Sequence, residues 1–448
     1  MALAETPVAP QAIDPALPPE DYSQIVKVAF ASMIGTSIEW YDYFLYGTAA
    51  ALVFNKLFFP SYDPLVGTLL AFATFSLGFI ARPVGGIVFG HFGDRIGRKK
   101  MLYLTLMIMG LSTACIGLLP TYAAIGIWAP ILLVGMRLLQ GFGLGGEWGG
   151  AVLMAVEHAP ANRRGFYGSW PQLGAFVGLL LSTIVFRAVS KMPDSAFLSW
   201  GWRVPFLLSF ILVAIGIWIR LTVAESPVFL KMKKNQKKEV KMPIIEALTK
   251  HPKNIFIAMG ARFAENGLFY VFTVFSLTYI STYLKVPRVV GLNGLLWAAG
   301  IGIFSTAAWG ALSDVWGRRP IYMYGAIACG VLAFPFFWML GTKDPTMITL
   351  AIVIPVVLGH SAMYGPQASF LSEMFSAKVR YSGASFGYQL ASIFAGGLSP
   401  LIATWLLAVG VASGKGPTYI AFYMILLVVI TVVAVAFAKE TNKDVDIT

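Results

Sequence analysis

Charge is what this sequence has least of. Only 12% of its 448 residues are Asp, Glu, Lys or Arg, against about 25% in an ordinary soluble domain. No soluble core could hide 57% hydrophobic residues at a mean hydropathy of +0.73. A soluble enzyme is therefore excluded, and the chain reads as a polytopic membrane protein. Cysteine is scarcer still: Cys115 and Cys329 each lie in an apolar segment, the pattern of buried free thiols rather than of a disulfide. A G-x-x-x-x-G-K-[ST] phosphate loop is missing, which argues against an ATP-driven pump. The opening MALAETPVAPQAIDPALPPE lacks the basic and apolar stretches of a cleaved signal peptide. Rich in Pro and Ala, it is expected to be disordered. Basic residues outnumber acidic ones, 33 to 21, yet form no stripe suited to nucleic acid, and no nucleic-acid partner is expected.

What the chain has instead is apolar runs of roughly 20 residues, the length that crosses a bilayer. There are twelve, at 27–54, 65–89, 101–119, 124–156, 166–186, 202–223, 255–284, 289–311, 321–341, 346–374, 382–408 and 417–438. The expected fold is all-α, with 12 transmembrane helices. The fourth run is too long for one straight span, and its glycines suggest bending, tilt or an extension beyond the bilayer. Connections after the even-numbered spans, with the C-terminal tail, hold most of the loop Lys and Arg, so both termini are expected in the cytoplasm. The longest of these connections, KMKKNQKKEVKMPIIEALTKHPKN, divides the chain. The organisation that follows is a disordered cytoplasmic N-terminus (1–26), a six-helix bundle (27–223), a basic cytoplasmic linker (224–254), a second six-helix bundle (255–438) and a cytoplasmic tail (439–448). A linker resting on anionic lipid headgroups accounts for the basic stretch as well as regulation does.

The two halves repeat. GHFGDRIGRKK (Gly90–Lys100) follows span 2 and GALSDVWGRRP (Gly310–Pro320) follows span 8. After spans 4 and 10, an Arg follows a Glu by seven residues: Glu157 and Arg164, then Glu373 and Arg380. An internal repeat in a membrane chain points to two pseudo-symmetric bundles around a central path, as in transporters. The glycines permit tight turns, and the charges can pair between helix ends. Simple topology explains cations there too, but two copies in register read as ionic latches of a moving protein.

Gly90, Asp94, Arg95, Gly97, Arg98 and Lys99, and again Gly310, Asp314, Gly317, Arg318 and Arg319, resemble the signature loop of the major facilitator superfamily, whose 6 + 6 architecture is a standard example of repeat construction. RLLQG (Arg137–Gly141) is similar to its span-4 motif. More finely, IEWYDYFLYG, GFIARPVGG, FGHFGDRIGRKK, QGFGLGGEWGG, SWGWRVPF and AESPVF resemble the metabolite:proton symporter family, in wording closest to its shikimate-permease-like members. The resemblance implies a bacterial cytoplasmic (inner) membrane transporter, working as a monomer, with the proton as coupling ion and no other cofactor and no metal. Proline/betaine members of that family carry a long C-terminal coiled coil, whereas this chain ends KETNKDVDIT without heptads.

Ionisable groups inside a span are costly and default to functional candidates. Span 1 places Glu39, Asp42 and Tyr46 on one helical face, with Glu39 about 18 Å deep if the helix enters at Lys27. Span 2 has Arg82, just before Pro83. Span 4 carries a stripe of Arg137, Gln140 and Glu147; span 7 carries Arg262, Glu265 and Tyr270. Gln172, His360 and Gln389 lie on spans 5, 10 and 11. Arginine binds a carboxylate through two parallel bonds. A buried carboxyl can take up and release a proton near neutral pH. Asp42, Glu39, Glu147 and Glu265 are therefore the proton-coupling candidates. Arg82, Arg137 and Arg262, with Tyr46, Gln140, Gln172, Tyr270, His360 and Gln389, are the substrate-binding candidates. The gating candidates are Gly90, Asp94, Arg95, Gly97, Arg98, Glu157, Arg164, Asp314, Gly317, Arg318, Glu373 and Arg380. The same acids would also serve as static partners of the arginines, Glu39 or Asp42 with Arg82 or Arg137, and Glu265 with Arg262. The function expected is import of a small organic acid with a proton, by alternating access. A carrier of zwitterionic osmolytes and a drug/proton exporter are the alternatives.

Overall fold

Hydrocarbon offers a backbone no hydrogen bonds, so apolar segments that cross it must satisfy their amides internally, as helices. The computed structural model describes residues 19–96, 98–145, 152, 155–156, 159–222, 248–375 and 380–442, without the side chains of 19–25, 27, 28, 31, 90–103, 219–222 and 380–382. Every expected span falls on helix. They are α1 (Pro19–Ala49), α2 (Pro64–Ile96), α3 (Arg98–Leu118), α4 (Trp128–Leu144), α5 (Arg164–Val189), α6 (Ser209–Thr222), α7 (Pro252–Tyr270), α8 (Arg288–Trp316), α9 (Arg318–Val331), α10 (Pro345–Ile354, resuming at Ser361–Glu373), α11 (Arg380–Ala391, resuming at Ser399–Ala412) and α12 (Thr418–Ala436). Among the described residues, eight spans meet the length and hydropathy of a membrane helix, and α9 with its continuation Ala333–Gly341 makes a ninth, bent by 43°. Shorter apolar helices stand for spans 3 and 4, at Leu104–Leu118 and Trp128–Leu144. The first helix carries Glu39 and Asp42 in its C-terminal half.

Helix starts follow local chemistry. Proline opens α1, α2, α7 and α10, where its missing N–H costs nothing. The first helix consequently begins at Pro19, eight residues before the expected start at 27. Asp344 caps α10 by accepting from Thr346 N at 3.0 Å and Met347 N at 2.9 Å. Gly317, at φ +102°, makes the turn between α8 and α9 that a side chain would strain. Wide π-type turns interrupt α1 (Ala50–Phe54), α7 (Val271–Phe275), α10 (Pro355–His360) and α11 (Ser392–Gly397). Such turns shift the side chains that follow out of helical register.

The two halves form two bundles. In the first, α1 packs on α5, and α2 and α3 pack on α4; in the second, α7 packs on α12, and α8 and α9 pack on α10. They meet where α5 lies on α8 and α10, and where α2 lies on α11. Large apolar side chains such as Phe304, Trp218 and Phe437 face outward, at 77%, 67% and 67% exposure. That is how a protein whose surroundings are lipid distributes them.

The glycines of QGFGLGG have a packing role within the described residues. A Cβ on Gly141 would stand 2.0 Å from Gly78 O, and one on Gly145 1.9 Å from Arg82 O. Four residues apart on one face, they let α4 meet α2 backbone to backbone. Gly141→Leu should therefore collapse the folded yield or lower the melting temperature sharply in a detergent thermal-shift assay, as overpacking costs about 1–3 kcal/mol or more. Gly135→Leu, at a position with nothing within 4 Å, should leave melting unchanged.

Candidate functional site

Asp42 lies in the last third of α1, fully buried. Ser209 of α6 donates to its Oδ1 at 2.5 Å, while Oδ2 has no hydrogen-bond partner. No cation among the described residues forms an ion pair with it. The expected partner Arg137 is engaged elsewhere: Nε and Nη2 donate to Phe75 O at 3.3 and 3.2 Å, and Nη1 donates to Gln140 Oε1. Gln140 donates in turn to Thr113 Oγ1 at 2.7 Å and to the Asp42 carbonyl at 3.2 Å. Ring faces supply the rest of the compensation for Arg137, whose Cζ lies 4.2 Å from the centroids of both Tyr43 and Tyr46. Tyr46 itself donates to Thr74 Oγ1 at 2.7 Å.

The second bundle has the opposite arrangement, an arginine held by its acid. Arg262 Nη1 bonds Glu265 Oε2 and Gln367 Oε1, both at 2.8 Å, and Nε donates to Ser392 Oγ at 3.1 Å. Asn266, with its amide oxygen turned to the guanidinium, accepts from Nη2 at 2.6 Å. Glu265 also meets His360 Nε2 at 3.1 Å and accepts from Gln367 Nε2 at 2.9 Å. The π-type turns make this convergence possible: one ends on His360, the other begins on Ser392. A fully buried ion pair needs such saturation, because the Coulomb attraction alone does not repay desolvation.

Between the bundles, Arg82 of α2 has Nε and Nη2 without hydrogen-bond partners. Its Cζ lies 4.2 Å from the Tyr43 ring and 4.3 Å from Phe79. A cavity of about 20 Å³ adjoins it, lined among others by Glu39, Trp40, Gln172, Tyr388 and Gln389. This holds little more than one water. Gln389 Oε1, in its wall, is buried without a partner, as are the hydroxyls of Tyr43 and Tyr270 in the ring cluster beside Arg82. Gln172 crosses to the second bundle, its Nε2 3.4 Å from Gln367 Oε1.

Contacts join the two halves on both faces. On the face of the α8–α9 turn, Asp314 accepts from the first amides of α5, Gly165 N at 2.7 Å and Phe166 N at 2.9 Å. Free amides at a helix N-terminus favour a carboxylate. Arg318 ties Asp314 (2.6 Å) to Glu373 (3.2 Å), and Glu373 also accepts from Thr441 at 2.6 Å. Ser369 donates to the Arg164 carbonyl at 2.7 Å. On the opposite face Arg288 bonds Asp194 at 2.7 Å, and Thr278 reaches the Ala51 carbonyl at 3.3 Å. The hydrogen bond and charge of Arg288 hold the Asp194 carboxyl below its ordinary range. This latch is therefore whole at neutral pH and is lost only as pH falls through that lowered value.

Of the expected residues, Arg82, Glu39, Gln172 and Gln389 come together at the cavity, with Tyr270 in the ring cluster beside Arg82. Arg137, Gln140 and Tyr46 are committed within the first bundle, and Arg262, Glu265 and His360 within the second. Of the static pairings considered, Glu265 does bond Arg262, whereas Asp42, offered with Glu39 as a partner of Arg82 or Arg137, takes a bond from Ser209 instead. Glu373 takes Arg318 as partner. Glu147, Glu157 and Gly97 lie outside the described residues, as do the side chains of Gly90, Asp94, Arg95, Arg98 and Arg380. Sequence reading missed Ser209 and Thr113, because single hydroxyls in apolar helices are common and carry no pattern. Gln367 joins Arg262, Glu265 and Tyr322, a role that a single polar residue on α10 does not announce in the sequence.

A family model described as "Sugar (and other) transporter" matches residues 27–444. The shikimate transporter of Escherichia coli (strain K12) is 42% identical over 423 residues, 94% of this chain and 96% of that one. The inner membrane metabolite transport protein YhjE of the same organism is 42% identical over 93% of this chain and 95% of its own. The proline/betaine transporter of Salmonella typhimurium (strain LT2) is 35% identical over 94% and 85%. Among solved structures, the proton:xylose symporter XylE bound to 6-bromo-6-deoxy-D-glucose superposes with a TM-score of 0.74 over 94% of this chain and 97% of that one. At 18% identity this likeness establishes the fold.

Glu265→Gln should leave Arg262 buried with one charge unanswered, at a cost of about 3–5 kcal/mol. The expected outcome is a clearly lower melting temperature in detergent. Adding Arg262→Met should recover much of the loss.

Proposed function

The chain belongs to the sugar (and other) transporter family, within the major facilitator superfamily; it is a multi-pass membrane transporter and not an enzyme, and on that footing we propose that it imports a small organic acid together with a proton. Alternating access would carry both through the bacterial inner membrane, with both termini on the cytoplasmic side. The observation that carries the reading is Asp42: a buried carboxyl that takes a bond from the Ser209 hydroxyl and forms no ion pair among the described residues. A charge there would go uncompensated. Asp42 is thus protonated in this closed arrangement and gives up its proton once the bundles part and water reaches it.

Contacts between the halves on both faces, around a cavity the size of one water, support an occluded intermediate, between a form open to one side and a form open to the other. The latches in this reading are Asp314, Arg318 and Glu373 on the cytoplasmic face and Arg288 with Asp194 outside. Opening the cytoplasmic side exchanges the amides of Gly165 and Phe166 for water, so neither carboxylate nor helix end is stranded.

Relatives named for shikimate and for proline and betaine both lie close. The acid is favoured, because the ring faces that would hold a quaternary ammonium are covered. Guanidinium groups already lie against Tyr43, Tyr46, Phe79 and Tyr388, the last with Arg262 Cζ 3.2 Å from its centroid.

In proteoliposomes with an imposed inward proton gradient, wild type should concentrate an organic acid from a carboxylate panel. Gradient-independent uptake removes proton coupling, uptake of glycine betaine alone favours the osmolyte reading, and efflux of drugs the exporter reading. Asp42→Asn should abolish gradient-driven uptake while substrate exchange survives; intact driven uptake clears Asp42 of the role.

A further inference from the structure

We infer that the site takes a ligand bearing a single carboxylate, anchored by Arg82 and aligned through Tyr43, an inference that rests on the organic-acid reading above. Among the described residues, the membrane interior holds three fully buried arginines, Arg82, Arg137 and Arg262. In two of them every guanidinium nitrogen is engaged: Arg137 on Phe75 O and Gln140, and Arg262 on Glu265, Gln367, Ser392 and Asn266. Arg82 alone of the three has guanidinium nitrogens without a partner, Nε and Nη2. Those two lie side by side on one edge of the guanidinium, and their parallel N–H bonds match the two oxygens of one carboxylate.

A second carboxylate has nowhere to go. No further open cation lines the cavity among the described residues, and Glu39 in its wall would meet a second acid with like charge. The remaining open atoms suit neutral polar groups instead. The Tyr270 hydroxyl and Gln389 Oε1 are buried without partners, one able to donate or accept, the other to accept. The ligand's other end is therefore hydroxylated or otherwise neutral.

Tyr43 sets the direction of the anchor. Arg82 and Arg137 each bring Cζ to 4.2 Å from the Tyr43 centroid, so the one ring bears both guanidinium planes. Arg137 is fixed by its own hydrogen bonds, and the ring between them transmits that fixed position to Arg82. Tyr43 is a positioning residue: its ring is needed and its hydroxyl is not.

The test is counterflow exchange by the full chain in liposomes at equal pH on both sides, which needs no proton gradient. Shikimate and lactate are the single-carboxylate probes; trans-cyclohexane-1,4-dicarboxylate and malate are their doubly charged counterparts. Wild type should exchange a single-carboxylate probe and favour that class by roughly tenfold or more in KM. Tyr43→Phe should stay within about twofold of wild type, whereas Tyr43→Leu should raise KM by roughly tenfold with little change in maximal rate. Equal exchange of the dicarboxylates, or equal behaviour of the Phe and Leu variants, overturns the inference and leaves the transport reading standing. The probe selectivity of wild type decides the matter even if the Leu variant fails to insert. A wild type that exchanges none of the acids overturns both readings.

Discussion

A guanidinium in hydrocarbon has no water to turn to, and much of this structure is arranged around that fact. Each buried arginine is accommodated differently. Arg262 is given a carboxylate and a surrounding set of amide and hydroxyl oxygens. Arg137 is given a backbone carbonyl, one amide oxygen and two ring faces. Arg82 is given ring faces and a small cavity. The distinction separates function from architecture better than burial does, since all three are fully buried. The residue whose needs are least met within the protein is the one with something left to offer a ligand.

The same contrast runs between the two bundles. The second holds an acid and its arginine in mutual saturation, through helices whose regular winding is broken at His360 and Ser392. The first holds an acid with no cation and an arginine with no acid, although Asp42 and Gln140 touch through the backbone. Gln172 spans the gap and brings the saturated cluster to the edge of the cavity. Gln367, on which that contact falls, also bonds both members of the Arg262–Glu265 pair.

Much of the fold was legible before any coordinates. Apolar run length, cation distribution and repeated loops were enough for twelve spans in two halves, because a bilayer leaves helices as nearly the only option. The limits were local. The start of α1 was placed late because its first turn is polar and reads as tail. The glycines of span 4 suggested a bend, whereas two of them serve contact with α2, a distinction that depends on what lies opposite. At the site, helical spacing was enough for the pairing of Glu265 with Arg262, three residues apart on one helix, but not for contacts between helices. Asp42 and Arg137 share a neighbourhood in sequence logic, yet a rotation of about 100° per residue leaves side-chain reach undetermined. The breaks in α7, α10 and α11 rotate faces further, with only Pro355 as an outward sign. Ser209 carried no signal, since its importance comes entirely from the carboxyl it faces.

The contact of Asp314 with the start of α5 is made to backbone amides, which every residue type except proline supplies. The recognition is thus written in only one of the two bundles. Position 166 is free to drift in side-chain identity without weakening the seal, while position 314 is not. Comparisons that look for paired changes between the halves would pass over one of the principal contacts joining them. Two such bundles, taken from divergent relatives and joined at the linker, would still find this contact ready-made, provided the acid was retained and the helix began at the same residue.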